Sequence, residues 1–208
     1  MVTNDELKSN PMHLFKAFRC LDHTHDFLNG SFWMGNINYY KKIEDATRQD
    51  ITEGESCYKK YTAKATENIV NRNTQPGYIN CTANILNPIH LLCCSSPEVD
   101  LEFLKKKFGI YVVRINNPEQ LLIDLNNFFS HGNLKTVGPI SLKKVEYTKG
   151  NILPADPEDE TKLIYTQKSP KFKPESEFRF IVTLDHKMKR EDFLKIILNK
   201  RLDYVEQV

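Results

Sequence analysis

A mixed α+β domain is the fold class this sequence predicts, and three observations predict it. Short segments of alternating or continuous apolar character recur along the chain, as strands do. Two Ser/Asn-Pro-Glu signatures open helix-like segments between them. A hydrophobic share of 40%, with 12 Phe and 9 Tyr, is enough to build a core. At 208 residues one domain, 1–208, is the default, with polar Met1–Pro11 expected as a flexible N-terminal tail.

His13–Cys20 (HLFKAFRC) alternates roughly and reads as a first strand. Asp22–Asn29 reads as a short helix, opened by Asp22 and stopped by Asn29-Gly30. Ser31–Tyr40 is an aromatic-biased strand, and polar Lys41–Gly54 a loop or an exposed helix turn. Thr62–Arg72 carries a weak helix or strand pattern, and Thr74–Gly77 is a turn. Tyr78–Ile85 alternates, and Ile89–Ser95 is a continuous apolar run of the kind found in buried strands. Ser96-Pro97-Glu98 and Asn117-Pro118-Glu119 each open a helix, one running to about Lys107 and the other to His131-Gly132. Gly109–Ile115, Ile140–Thr148, Leu163–Gln167 and Phe178–Leu184 read as strands, and Pro154–Thr161 and Pro170–Pro174 as loops. Phe193–Leu202 is ambiguous between helix and strand. The count is about seven strands and two or three helices.

Lys+Arg 29 against Asp+Glu 27 gives a net charge of +2. A broad basic nucleic-acid surface is excluded, while a local basic cleft is not. Met1–Pro11 lacks the apolar core of a signal peptide, and no apolar run approaches the roughly 20 residues that span a bilayer, so a cytoplasmic protein is expected, with no membrane partner. The five cysteines (Cys20, Cys57, Cys81, Cys93 and Cys94) are odd in number and form no C-x-x-C, so buried reduced thiols are expected rather than a disulfide framework or zinc site. The P-loop, G-x-G-x-x-G, G-x-S-x-G and H-E-x-x-H patterns are all absent.

Five constellations remain. Glu175-Ser176-Glu177 places two carboxylates at i and i+2, on one side of the chain if it is extended. Such a pair suits stabilising a cationic transition state or activating a hydroxyl; the other reading is a solvated strand start with Glu175 paired to Lys173 or Arg179. Arg48-Gln49-Asp50-Ile51-Thr52-Glu53-Gly54, after Glu44-Asp45, is either a ligand-wrapping loop or a self-paired exposed one. Asp22-His23-Thr24-His25-Asp26 would face its histidines one way on a strand, as part of a metal site that needs further ligands, and apart on a helix, as solvent-exposed side chains. Arg19, at the tip of the first strand, suits a phosphate or carboxylate, or a surface ion pair. Lysines 59, 60, 64, 105–107, 143, 144, 168, 171 and 173 would attract phosphates if they converged; balanced by acidic residues, they read otherwise as a solvated surface.

The order of these pieces is more informative than any one. An Arg ends the first strand, an aromatic second strand follows a short helix and a glycine, and Glu175-x-Glu177 opens a late strand. This resembles the Arg/Ser/Glu-x-Glu branch of the ADP-ribosyltransferase superfamily. It also resembles small bacterial and phage proteins that share Gly30–Trp33, Tyr39-Tyr40, Glu44-Asp45, Arg48–Asp50 and Glu53-Gly54 early, and Tyr165, Lys168, Phe172 and Glu175–Arg179 late. The resemblance implies a split, antiparallel-rich sheet pair and an NAD-dependent transferase, of a toxin or phage–host conflict kind, with a possible partner or inhibitor protein. It implies Glu177 and Glu175 as catalytic: Glu177 on the ribose and its oxocarbenium-like transition state, Glu175 on the acceptor. It implies Arg19, Ser31, Tyr39, Tyr40 and Arg48 around NAD, and Asp50, Glu53, Lys168 and Arg179 toward the acceptor, a nucleic acid or a protein. The branch carries a Ser-Thr-Ser-like strand where this chain has only Ser31 before Phe32-Trp33. A non-catalytic binding module for a nucleotide, nucleic acid or protein is the alternative. A metal-dependent hydrolase or nuclease built on Asp22, His23, His25 and the Arg48–Glu53 carboxylates is the third.

Overall fold

The computed structural model describes residues 13–42, 57–61, 78–82, 87–147, 166–185, 187 and 192–208. Its organising strand is β5 (Ile89–Ser95), the continuous apolar run. On one edge, β10 (Glu177–Thr183) pairs antiparallel with it along the full length, from Glu177 opposite Ser95 to Thr183 opposite Ile89. The other edge is shared. There β2 (Ser31–Asn36) pairs at Gly35–Leu91 and Asn36–His90, and β1 (Leu14–Phe18) pairs at Phe15–Ser95. The two strands diverge like a fork, and Leu92–Cys94 lie between their contacts.

One arm of the fork continues from β1 to β6 (Tyr111–Ile115) and β12 (Val205–Gln207). The other continues from β2 to β11 (Phe193–Ile197). Beyond β10 lies β7 (Ser141–Lys144), which completes an eight-stranded sheet. Two small pairs stand apart: antiparallel β3 (Cys57–Tyr61) with β4 (Tyr78–Thr82), and parallel β8 (Glu146–Tyr147) with β9 (Gln167–Lys168). The described residues thus form a mostly antiparallel α+β fold. It holds more strands than the seven expected, eight of them in one forked sheet.

Strand alternation sorts the side chains. Leu92 and Cys94 on β5, and Phe178, Phe180 and Val182 on β10, enter the main core. That face is covered by α1 (Leu21–Leu28) and α4 (Pro118–His131), which contribute Phe27, Leu121, Leu125 and Phe129. Burying each such side chain stabilises the fold by about 1.5–3 kcal/mol. On the opposite face, α3 (Leu101–Phe108) packs Leu104 on Phe15 and Val112, and α2 (Ile37–Lys42) packs Ile37 on Leu91 and Ile181. Cys93, Glu177 and Arg179 alternate onto this second face.

Several elements depart from the sequence expectation for identifiable reasons. The aromatic strand stops at Asn36, and Tyr39 and Tyr40 lie on helix α2. Gly35 permits the reversal: a Cβ there would sit 2.8 Å from the Tyr40 hydroxyl. Helix α3 begins at Leu101, not after Ser96. Asp100 caps it by accepting from the Glu102 N–H at 2.9 Å, while the Ser96 N–H is still engaged with the Ser176 carbonyl at 2.8 Å. Helix α4 starts as expected, its Asn117 side chain accepting from the Gln120 N–H at 3.0 Å. Ile140–Thr148 is divided at Val145, whose N–H donates to the Glu177 carbonyl, while the Glu146 N–H donates to Thr166. Pro170–Glu175 is a 3-10 helix, not a loop, and the ambiguous Phe193–Leu202 begins as strand β11. Met1–Pro11, Thr62–Arg72, Thr74–Gly77 and Pro154–Thr161 lie outside the described residues. Of the cysteines expected to be buried, Cys94 is, Cys93 is half-buried and Cys20 is exposed.

Candidate functional site

The fork opens a cavity of about 210 Å³ on the second face of β5. Its walls come from β1 (Phe15, Lys16, Ala17), from α3, and from Tyr40; its floor is Cys93, Glu177 and Arg179. A fork leaves backbone groups of the shared strand short of ladder partners, which buried groups cannot tolerate. Lys16 meets this need: its ammonium donates to the Cys93 carbonyl at 2.9 Å.

Glu177 and Arg179 share one side of β10 because they are two residues apart on a strand. Arg179 is fully buried, and its Nε donates to Glu177 Oε1 at 2.8 Å and its Nη2 to Oε2 at 3.3 Å. Lys168, just ahead of the 3-10 helix, donates to both carboxylates: to Glu175 Oε2 at 2.8 Å and Glu177 Oε2 at 2.9 Å. Lys107, at the end of α3, closes the chain on Glu175 Oε1 at 2.7 Å. The buried Phe172 ring supports both lysines, 4.8 Å from Lys168 Nζ and 5.1 Å from Lys107 Nζ. Tyr147 on β8 accepts the Glu177 backbone N–H at 2.8 Å.

Burial by itself would push the Glu177 carboxyl up. The charges of Arg179 and Lys168 and hydrogen bonds from Arg179 and Cys93 outweigh it, so Glu177 stays ionised well below the usual carboxylate range. Burial raises the Tyr147 phenol, keeping it neutral. Cys94, on the core side, is pushed up to about 12 by burial and is an inert thiol.

A second compartment of about 550 Å³ adjoins the first and shares Lys16, Ala17, Tyr40 and Phe108 with it. Its walls are aromatic: Tyr39 lies 4.3 Å from Phe193, and Trp33 is half-exposed 6.3 Å from Phe193 with Lys195 above its ring. Arg19, His23 and Ser31 border it.

Arg19, Ser31, Tyr39 and Tyr40 therefore meet at one compartment, and Glu175, Glu177, Lys168 and Arg179 at its neighbour. Some 150 residues of sequence separate the two sets. Glu175 pairs with Lys107 and Lys168, not with Lys173 or Arg179. Glu44, Asp45, Arg48, Asp50, Glu53 and Tyr165 lie outside the described residues, as does Lys64. His23 and His25 are exposed on α1, and among the described residues no three metal-ligating side chains come together. Of the lysine set, Lys107 and Lys168 converge, but on carboxylates. Sequence reasoning named Lys107 only within its basic set and missed Lys16, Cys93, Tyr147 and the Ser96–Ser176 contact as parts of a site. Lys16 alone carried a signal, as the one cation inside the first apolar strand. No family model, no curated protein and no solved structure matches this chain.

Proposed function

We propose that the forked cleft binds a small anionic ligand of the nucleotide class, as a binding module. At its inner end Lys16, Lys107, Lys168 and Arg179 outnumber Glu175 and Glu177, which leaves a positive excess for a phosphate, and Tyr39, Tyr40, Trp33 and Phe193 stand at its outer end for a planar ring. The observation that carries this reading is adjacency: a pocket lined by Lys16, Lys168 and Arg179 together with Glu175 and Glu177, and an aromatic one, share Lys16, Ala17, Tyr40 and Phe108 as lining. The crowding of Glu177 supports binding over catalysis. A carboxylate has about four acceptor sites, and Arg179 and Lys168 occupy three of them here.

ADP-ribosyl transfer from NAD to a nucleic acid or protein, on an ADP-ribosyltransferase-like fold, is the second reading. One observation favours it: Glu177 remains ionised at the cavity floor, beside the compartment bordered by Arg19, Ser31 and Tyr39. A fixed carboxylate there would stabilise the cationic ribose formed as nicotinamide leaves.

Calorimetric titration with ADP, NAD and inorganic phosphate tests the binding. Uptake of ADP or NAD that weakens about tenfold or more in Lys16→Met is expected, since a hydrogen bond to a charged group contributes about 1.5–3 kcal/mol. Absence of heat at millimolar ligand overturns it. NAD labelled on its adenylate phosphate, mixed with protein and cell lysate, separates the two readings. Label transferred by wild type and lost with Glu177→Gln establishes the transferase; NAD bound but intact establishes the binding module.

A further inference from the structure

We infer that Ser176 is the positioning residue of this site: its left-handed backbone, locked by Ser96, aims Glu175 and Glu177 at a single lysine. The inference rests on the site described above and names what holds it together.

Ser176 has φ 44° and ψ 53°. Among the described residues, Asn199 is the only other non-glycine residue with positive φ. Asn tolerates that region through its side chain, whereas Ser is disfavoured there and persists only where its surroundings over-determine it. The surroundings here do. The Ser96 and Ser176 hydroxyls lie 2.6 Å apart, the Ser96 N–H donates to the Ser176 carbonyl at 2.8 Å, and the Ser176 N–H donates to the Lys173 carbonyl at 3.1 Å.

The two carboxylates do not share a side by strand alternation. Glu175 ends the 3-10 helix and Glu177 begins β10, so Ser176 is the junction between two backbone geometries. With Ser176 left-handed, the two side chains arrive at Lys168 Nζ at 2.8 and 2.9 Å. With Ser176 extended, the 3-10 helix would leave β10 in another direction and carry Glu175 away from Lys107 on α3 and from Lys168. Ser96, the residue after β5, ties the junction to the strand that carries Cys93.

The test follows the Glu177 carboxyl by ¹³C NMR in protein labelled at glutamate. The groups facing it are Arg179 on β10, Lys168 on β9, Cys93 on β5, Tyr147 on β8, Glu175 on the 3-10 helix and Lys16 on β1. Wild type and Ser176→Gly, which keeps the left-handed turn without strain, are expected to hold Glu177 ionised at about pH 3, below the ordinary Glu value. Ser176→Val, barred from that region, moves its titration up by a pH unit or more. Ser96→Ala moves it part of the way, and Ser96→Ala/Ser176→Gly restores it. A wild-type titration in Ser176→Val, or no restoration in the double variant, overturns the inference. Should Ser176→Val fail to fold, the Ser96→Ala pair decides alone. ADP titrated into the same proteins reads the other question. If wild type binds no ADP, the nucleotide reading falls, while the titration series still decides the role of Ser176.

Discussion

Among the described residues carboxylates are buried in two places, and the two are built differently. Glu175 and Glu177 are met by Lys107, Lys168 and Arg179, all largely buried themselves. Asp124 on α4 is met by the Tyr204 hydroxyl at 2.7 Å, the Gln120 amide at 3.1 Å and Lys200 at 2.7 Å, and Lys200 keeps about half its surface in water. The second network contains one charge with neutral donors and one exposed cation. It fastens the segment ahead of β12 to α4 and demands nothing further of the fold. The first takes five charges out of water, although a well-packed apolar set often stabilises as much. A lone buried carboxylate is therefore poor evidence of a site. Concentrated buried charge at a forked sheet, bordering a cavity, is better evidence.

The largest effect expected is at the first network. Lys168→Met leaves two buried carboxylates sharing what remains, Lys107 on one and Arg179 on the other. Removing one member of a buried pair costs about 3–5 kcal/mol, and the surviving partners place this variant near about 3 kcal/mol. Urea unfolding measures it, and a loss below about 1 kcal/mol would mean the network is not closed in solution. At the second network, Tyr204→Phe deletes one hydrogen bond to a charged acceptor that keeps Lys200 and Gln120. About 1.5 kcal/mol is expected there. Equal losses at the two sites would erase the distinction drawn between them.

What the sequence revealed divides along the same line. Strand β5 was legible because five apolar or small residues in a row, Leu91–Ser95, suit a strand buried on both faces. Helix α4 was legible because Asn117-Pro118 states its own cap. Glu175-x-Glu177 was found by assuming an extended segment, whereas the aligned pair on β10 is Glu177 with Arg179. Tyr39 and Tyr40 were placed on a strand because aromatic residues favour strands; tertiary packing over Gly35 overrode that preference. Lys16 was visible only as a cation within the first strand, and Lys107 only as one lysine of a basic set. Their role depends on β1 and β2 meeting one edge of β5, a pairing that local pattern does not encode. The left-handed Ser176 was hidden too, since serine does not announce that conformation as glycine does.

The pH dependence sharpens the comparison. Glu177 is held below its ordinary range, so its contribution is complete above the unfolded value of about 4.3 and is lost as pH falls toward the folded one. Asp124 is lowered as well: burial raises it, and hydrogen bonds from Lys200, Tyr204 and Gln120 more than offset that. One carboxyl can supply a slope of at most about 1.4 kcal/mol per pH unit. Stability of wild type is expected to fall below about pH 4.5. Glu177→Gln should flatten that fall more than Asp124→Asn, because two buried cations act on Glu177 and one exposed cation on Asp124. Denaturant midpoints between about pH 2.5 and pH 6 measure both slopes.

The smallest effect is expected where the two networks look most alike, at a lysine touching a buried carboxylate. Lys200 Nζ lies as close to Asp124 as Lys107 Nζ does to Glu175, 2.7 Å in each case. Distance alone would equate the pairs. Water screens Lys200, whose removal still leaves Asp124 the Tyr204 and Gln120 donors, so Lys200→Met should cost no more than about 1 kcal/mol and should lose even that in molar salt. Lys107 is only 14% exposed and stands against Phe103, Phe108 and Phe172. Its replacement by Met should cost more and resist salt. Two lysines with one contact distance and opposite salt responses would show that burial of the partners, not proximity, sets what each ion pair contributes here.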